Sequence, residues 1–289
     1  MKDNTIVIVG NGFDVGHGLP SRYSDFKEWL HRNDKEMFLF LDKYIDVSGY
    51  WWNDFERNLS EINVPKLISE TPRGNSKTLP GMPPSFYEPA CGHLDSVQRK
   101  INRSMAEWIR TLEDIPVDKK IKLPDANLYI SFNYTDTLER AYDISENDIL
   151  YIHGKASRGD ELIYGHGKNQ FLLEHDIKQR YGLHESNDFF TPGTYGDSEY
   201  QLTHHISYWQ KYIQLANYYD VLRPAIKNAN TVYVYGLSFS EVDCPYIIWI
   251  VEQNPSIRWR VSWHTEEDMI RISSTLEALR VKDFELRYM

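Results

Sequence analysis

A histidine, an asparagine and an aspartate each stand just beyond a short apolar run. His153 follows Ile149 to Ile152, Asn133 follows Leu128 to Phe132, and Asp14 comes shortly after Thr5 to Val9. Histidine is the side chain whose ordinary pKa suits proton transfer at neutral pH, and a carboxylate can face developing positive charge. A carboxamide can orient a hydroxyl group or a water. His153, Asn133 and Asp14 are therefore the candidate catalytic residues. Each has a structural use as well. A histidine after a strand also serves as a buried loop hydrogen-bonder, Asn133 suits capping of the segment after Tyr134, and Asp14, like Asp243, suits an N-cap.

Around them lie residues suited to holding a ligand. Gly10-Asn11-Gly12-Phe13, with Gly16 beyond, lets the backbone turn sharply and approach a diphosphate without interference from Cβ atoms. A helix starting there offers its first amides to anionic oxygens. The glycine spacing departs from G-x-G-x-x-G, and no acidic ribose partner follows about 20 residues later, which disfavours a hydride-transferring enzyme. His17, Tyr134, Thr135, Gly154, His166, Gly236, Ser238 and Asp243 complete the expected binding set. For His17 and His166, hydrogen bonding within their loops is an equal alternative. Ser238 lies outside a G-x-S-x-G elbow, against a serine hydrolase. No metal is expected, because His204 and His205 are adjacent and neither H-E-x-x-H nor a Cys/His spacing occurs.

These residues need elements to position them. Thr5–Val9 is an unbroken β-branched run, as expected of a strand buried on both faces. Ser21 to Ile45 reads as one helix, Glu70 to Gly92 as an exposed loop rich in Pro, Gly and Ser, and Leu94 to Leu112 as a long amphipathic helix. Strands are predicted at Leu128–Phe132, Ile149–Ile152, Leu162–Tyr164, Thr231–Tyr235, Trp259–Trp263 and Phe284–Tyr288. Further helices are predicted at Ile206–Ile226, from about Asp243, and after Thr265, which pairs with Asp268 as a cap. This alternation predicts an α/β, Rossmann-like, mainly parallel sheet with helices on both faces and with helical and loop insertions. We expect one domain over residues 1–289, with an insertion at about 46–125 and a lid at about 167–201. Ligands in such sheets sit beyond the carboxyl ends of the strands, where every cluster named above falls.

A net charge of -10 argues against a generally basic nucleic-acid surface, so nucleic acid is not an expected partner. The two cysteines, Cys91 and Cys244, are far apart, which fits a reducing compartment and excludes a four-cysteine zinc module. No signal-peptide pattern opens the sequence, and no run approaches the roughly 18 apolar residues of a membrane span, so a cytoplasmic protein without membrane contact is expected.

The motifs also resemble a known family. Ile8-Val9-Gly10-Asn11-Gly12-Phe13-Asp14, then His17-Gly18-Leu19-Pro20 and Tyr23-Ser24-Asp25-Phe26, resemble the opening of the AbiH family. Trp52-Asn53-Asp54-Phe55-Glu56, Ser131-Phe132-Asn133-Tyr134-Thr135 with Leu138-Glu139, Ile152-His153-Gly154, and Tyr235-Gly236-Leu237-Ser238 with Asp243 match its later motifs in order. The resemblance implies a bacterial defence role against phage, by arrest or death of the infected cell.

The order of glycine loop, strand-Asn-Tyr, strand-His-Gly and strand-Gly-x-Ser is more distantly similar to sirtuin-like NAD-binding domains, some of which are NAD hydrolases in phage defence. That similarity implies Gly10 and Gly12 at a diphosphate, Asn133 at the nicotinamide ribose, His153 as catalytic histidine, and Gly236 with Ser238 near the phosphates or adenosine ribose. Asn11 is bulkier than the usual residue between the glycines, and Thr135 stands where Asp is usual. The expectation is an NAD-consuming glycohydrolase, with a nucleotide sensor controlling a partner or a toxin acting on nucleic acid as alternatives. A defence effector held inactive until triggered also suits self-association or a regulatory partner.

Overall fold

In the computed structural model Thr5–Val9 forms β1, buried at every residue. The structure describes residues 4–45, 52, 55–63, 66–67, 70, 87–165, 215–240 and 242–289; the side chains of 87–95 and 215–220 are not among those described. Leu128–Ser131 forms β2, Ile149–Tyr151 β3, Thr231–Tyr235 β4, Arg258–Trp263 β5 and Phe284–Tyr288 β6. All five neighbouring pairs are parallel, in the order β3-β2-β1-β4-β5-β6. This is the doubly wound, Rossmann-like order, in which chain progression reverses direction between β1 and β4.

The described chain divides into two compact units. One comprises Met1–Phe26, Ala106–Ile163 and Tyr212–Met289, and the other Lys27–Met105 and Tyr164–Lys211.

The first unit holds the sheet. Side chains alternate across a strand, so each strand supplies both faces. Ile6, Ile8, Ile130, Phe132, Val232, Val234, Trp259 and Val261 form one buried face. It is covered by α7 (Leu215–Asn228), α8 (Cys244–Gln253) and α9 (Glu266–Ala278). Val7, Val9, Tyr129, Ile149 and Tyr151 form the other face, with Phe13 of α1 (Asn11–Gly16) and Leu138 of α6 (Thr137–Tyr142). Helices thus lie on both faces, as the alternation of elements predicts. Thr265 caps α9 with the reciprocal pair to Asp268 that its sequence announces.

The second unit is helical where it is described. The helix expected over Ser21–Ile45 is two, α2 (Tyr23–Asn33) and α3 (Lys35–Tyr44). Asp34 breaks it by capping α3, its side chain accepting from the Met37 amide at 3.0 Å. Met37, Leu41 and Tyr44 are buried, Ile45 bridges Ile62, and Trp52 stacks on Phe55 of α4 (Phe55–Asn58) at 5.5 Å. The amphipathic helix runs longer than expected, as α5 (Tyr87–Glu113); Ile101 and Met105 are buried in its part within this unit, and Trp108 and Leu112 in the part from Ala106 that belongs to the first.

The strand expected at Leu162–Tyr164 does not form. Gly154 turns with φ +83° and a single hydrogen bond, from the Ile163 amide to the His153 carbonyl at 3.0 Å, returns the chain without a ladder. His166, the expected lid and the first part of the helix expected from Ile206 lie outside the described residues. No helix among the described residues is long and apolar enough to cross a membrane.

Candidate functional site

The glycine turn after β1 meets the turn after β4 where the order of strands reverses. The Gly10 amide donates to the Tyr235 carbonyl at 2.9 Å and the Gly12 amide to the Gly236 carbonyl at 2.8 Å. A Cβ on Gly12 would lie 2.8 Å from Gly236 Cα, and one on Gly236, whose φ is +64°, would lie 2.0 Å from the Phe13 nitrogen. The missing side chains therefore let two backbones touch. The Phe13 amide donates to the Gly10 carbonyl at 2.8 Å, so two of the amides proposed for a diphosphate, those of Gly12 and Phe13, have protein acceptors. Asn11 is exposed at this turn, and its side-chain oxygen accepts from the Ser21 hydroxyl at 2.7 Å.

Asp14 and Asn133 come together beside this junction. Asn133, 6% exposed at the end of β2, donates Nδ2 to the Gly10 carbonyl at 3.0 Å. Asp14 is 1% exposed, and its Oδ2 accepts from Thr135 Oγ1 at 2.5 Å. Thr135 Oγ1 is in turn 3.2 Å from Thr137 Oγ1, and Asp14 Oδ1 has no hydrogen-bond partner among the described residues. Burial pushes the Asp14 pKa from 3.8 up to about 6, and hydrogen bonding by Thr135, Thr137 and Asn133 opposes this. A buried carboxyl with one open oxygen can bind a proton or a donor near neutral pH.

His153 stands at the end of β3, 1% exposed, with Nδ1 3.2 Å from the Phe132 carbonyl. A carbonyl only accepts, so Nδ1 carries the hydrogen and, in the neutral ring, Nε2 is an acceptor. The ring packs edge-on against Phe132 and Tyr246, at 5.1 and 5.6 Å, on the α7–α8 side of the sheet. Phe13 and its neighbours occupy the opposite side. The three proposed catalytic residues thus share the carboxyl edge of β1, β2 and β3, with Asp14 and Asn133 joined through the glycine turn and His153 reached through the Phe132 backbone.

Phe13 is fully buried, its ring 4.3 Å from His17 and 5.8 Å from Tyr142. Both His17 nitrogens have partners, Nδ1 the Phe13 carbonyl at 2.7 Å and Nε2 the Tyr142 hydroxyl at 2.8 Å. Burial lowers the His17 pKa, opposed by its bond to Phe13. Tyr134 donates to the Ile163 carbonyl at 2.9 Å. Beyond β4, Ser238 is exposed and donates to Asp243 Oδ2 at 3.0 Å; Asp243 stands at the start of α8 without a side-chain cap bond. That pair is local to its own loop.

Two features escape a reading of strand ends. Thr137 joins the Asp14 chain of hydroxyls, and the only hint was its alternation with Thr135. Lys155, 7% exposed, sets its ammonium 2.8 Å from Glu139 Oε2 and 3.4 Å from Glu146 Oε2, while Tyr151 donates to Glu139 at 3.1 Å. Burial draws the Lys155 pKa down, but Glu139 and Glu146 outweigh it and leave it raised. A lysine directly after His153-Gly154 was the available signal.

A family model described as bacteriophage abortive infection AbiH matches residues 6–263. The match takes in both glycine turns, Asp14, Asn133, Thr135, His153 and every strand except β6. No curated protein matches the chain. Because the match covers most of the sequence and all of the described carboxyl-edge site, the chain belongs to the AbiH family, whose role is abortive infection against bacteriophage.

Proposed function

We propose that this abortive-infection protein binds NAD or a related nucleotide over the carboxyl ends of β2, β1 and β4 and hydrolyses its nicotinamide–ribose bond. The observation that carries the reading is that the glycine turn at the β1–β4 reversal gathers the Asn133 carboxamide, on the Gly10 carbonyl, and the buried Asp14 carboxyl, on Thr135, where doubly wound sheets take their ligands. In the reaction the bond from ribose C1′ to the ring nitrogen breaks, its electron pair leaves on a neutral nicotinamide, and a water oxygen bonds C1′ as its proton passes to a base. Asp14 supplies negative charge from a low-dielectric position to face the positive ribose. Asn133 orients the ribose and the water. The His153 imidazole, with its proton fixed on Nδ1, offers Nε2 as the base.

A specific observation favours a second reading, a nucleotide sensor without catalysis. Asn133 Nδ2 is committed to the Gly10 carbonyl, which gives the carboxamide a role in holding the glycine turn rather than in orienting a water. One experiment separates the two. Purified protein is incubated with NAD, and nicotinamide and ADP-ribose are followed by chromatography, beside calorimetry of NAD binding. Release that is lost in Asn133→Ala and His153→Ala supports hydrolysis, and binding without release supports the sensor. Neither binding nor release overturns the nucleotide reading.

A further inference from the structure

Among the described residues β6 ends the sheet order, with β5 on one side. Its register runs from Trp259 opposite Phe284 to Trp263 opposite Tyr288. The Asp283 carbonyl accepts from the Trp259 amide and the Met289 amide donates to the Trp263 carbonyl, both at 2.9 Å. Along a strand, alternate residues turn their backbone groups to the same neighbour. Asp283, Glu285, Arg287 and Met289 therefore face β5. Phe284, Leu286 and Tyr288 present their amides and carbonyls on the open side.

We infer that this open edge pairs with β6 of a second copy of the chain, antiparallel and in two-fold register about Leu286. The segment Phe284-Glu285-Leu286-Arg287-Tyr288 is complementary to its own reverse: aromatic meets aromatic, acid meets base and leucine meets leucine. A two-fold axis at Leu286 places Leu286 opposite itself and Phe284 opposite Tyr288 of the second copy. Those are the residues whose backbone groups point outward, so each such pair exchanges hydrogen bonds. Between them, Glu285 falls opposite Arg287 of the second copy in the closer, non-hydrogen-bonded positions, where opposite charges attract across strands. Both side chains reach solvent, Arg287 63% and Glu285 47% exposed, and Glu285 Oε2 also lies 3.2 Å from Arg260 Nε of its own chain. Within one chain they already pair, Arg287 Nε lying 2.8 Å from Glu285 Oε1, so the dimer closes four charges in alternation around the axis. Tyr288 is 67% exposed and braced by Trp263 at the end of β5 and by His264 just beyond it, at 5.0 and 6.0 Å. Exposed sheet edges are templates for pairing, and this one is self-complementary in both backbone and charge.

The test uses the full chain in two measurements. Sedimentation equilibrium is expected to show a concentration-dependent species of twice the 34.1 kDa chain mass. Arg287→Glu is expected to abolish it, since every cross-strand pair then becomes acid on acid, and Glu285→Arg combined with Arg287→Glu to restore it. Hydrogen exchange on the unmodified protein is expected to slow at Phe284, Leu286 and Tyr288 as concentration rises. A species that stays at 34.1 kDa at every soluble concentration overturns the inference. So does a dimer that leaves those three amides unprotected, or a folded double variant that stays monomeric.

Discussion

Gly12 donates its amide hydrogen to the Gly236 carbonyl across 2.8 Å, and the two residues hold the turns after β1 and β4 in backbone contact. Gly236→Ala adds a methyl 2.0 Å from the Phe13 nitrogen at a φ of +64°. The strain of that φ and the overlap together are expected to cost about 2–4 kcal/mol. Gly18→Ala is the control. Its φ is +88° but nothing lies within 4 Å of the added Cβ, so a loss of only ~1–2 kcal/mol is expected. Urea melts of the two variants check the difference.

Asp14 makes stability depend on pH. Its folded pKa of about 6 stands above the ordinary 3.8, so the folded protein holds the proton more tightly than the unfolded chain. The stability contributed by that proton is full below pH 3.8 and is lost as pH rises through about 6. The difference corresponds to roughly 3 kcal/mol. Asp14→Asn removes the charge while keeping the acceptor for Thr135. It is expected to melt higher than the parent at pH 8 by up to about that amount and to match it near pH 4. If the proposed reaction is right, the same variant is inactive with NAD, so stability and activity move in opposite directions.

Thr135→Val deletes the hydroxyl that donates to Asp14 at 2.5 Å. Without it the carboxylate is less favoured, and the midpoint of the pH–stability curve is expected to move upward. At neutral pH the loss should be about 1–3 kcal/mol, the usual cost of a buried group deprived of its partner. Thr135→Ser, which keeps the hydroxyl, is expected to leave the midpoint in place. Thermal melts across pH 4–8 read both results.

Lys155→Met leaves Glu139, with Tyr151 bonded to it, facing no ammonium. Removing one partner of a largely buried ion pair costs about 3–5 kcal/mol, and the 42% exposure of Glu146 places this site at the lower end. Adding Glu139→Gln should recover part of the loss. A double-mutant cycle in urea measures the coupling.

Much of this architecture was legible in the residues. The β-branched runs Thr5–Val9 and Thr231–Tyr235 have the bounds that their composition announces, and Asn133 and His153 stand just past strand ends, with Asp14 in the short helix after β1, because turns follow apolar runs. The break at Asp34 was not legible, since one capping residue leaves the helical period on either side intact. Nor was the fate of Leu162–Tyr164, which depends on a left-handed turn at Gly154 rather than on its own apolar side chains. The glycines show the deeper limit. A missing Cβ signals that something comes close, and only coordinates reveal that the close atoms at Gly12 belong to Gly236. Likewise, the Thr135–Asp14 bond joins residues 121 apart in sequence, beyond the reach of any local pattern.

Long stretches of sequence separate β1 from the two strands that flank it, both of which follow it in the chain. β1 ends at Val9, whereas its neighbours begin at Leu128 and Thr231. At ~5–20 residues per second, a segment buried at every residue in the folded protein waits on the order of 10 to 45 seconds between its own emergence and that of its last neighbour. The junction of the two glycine turns therefore cannot assemble on a nascent chain before β4 is made, because the Gly10 and Gly12 amides have their acceptors at Tyr235 and Gly236.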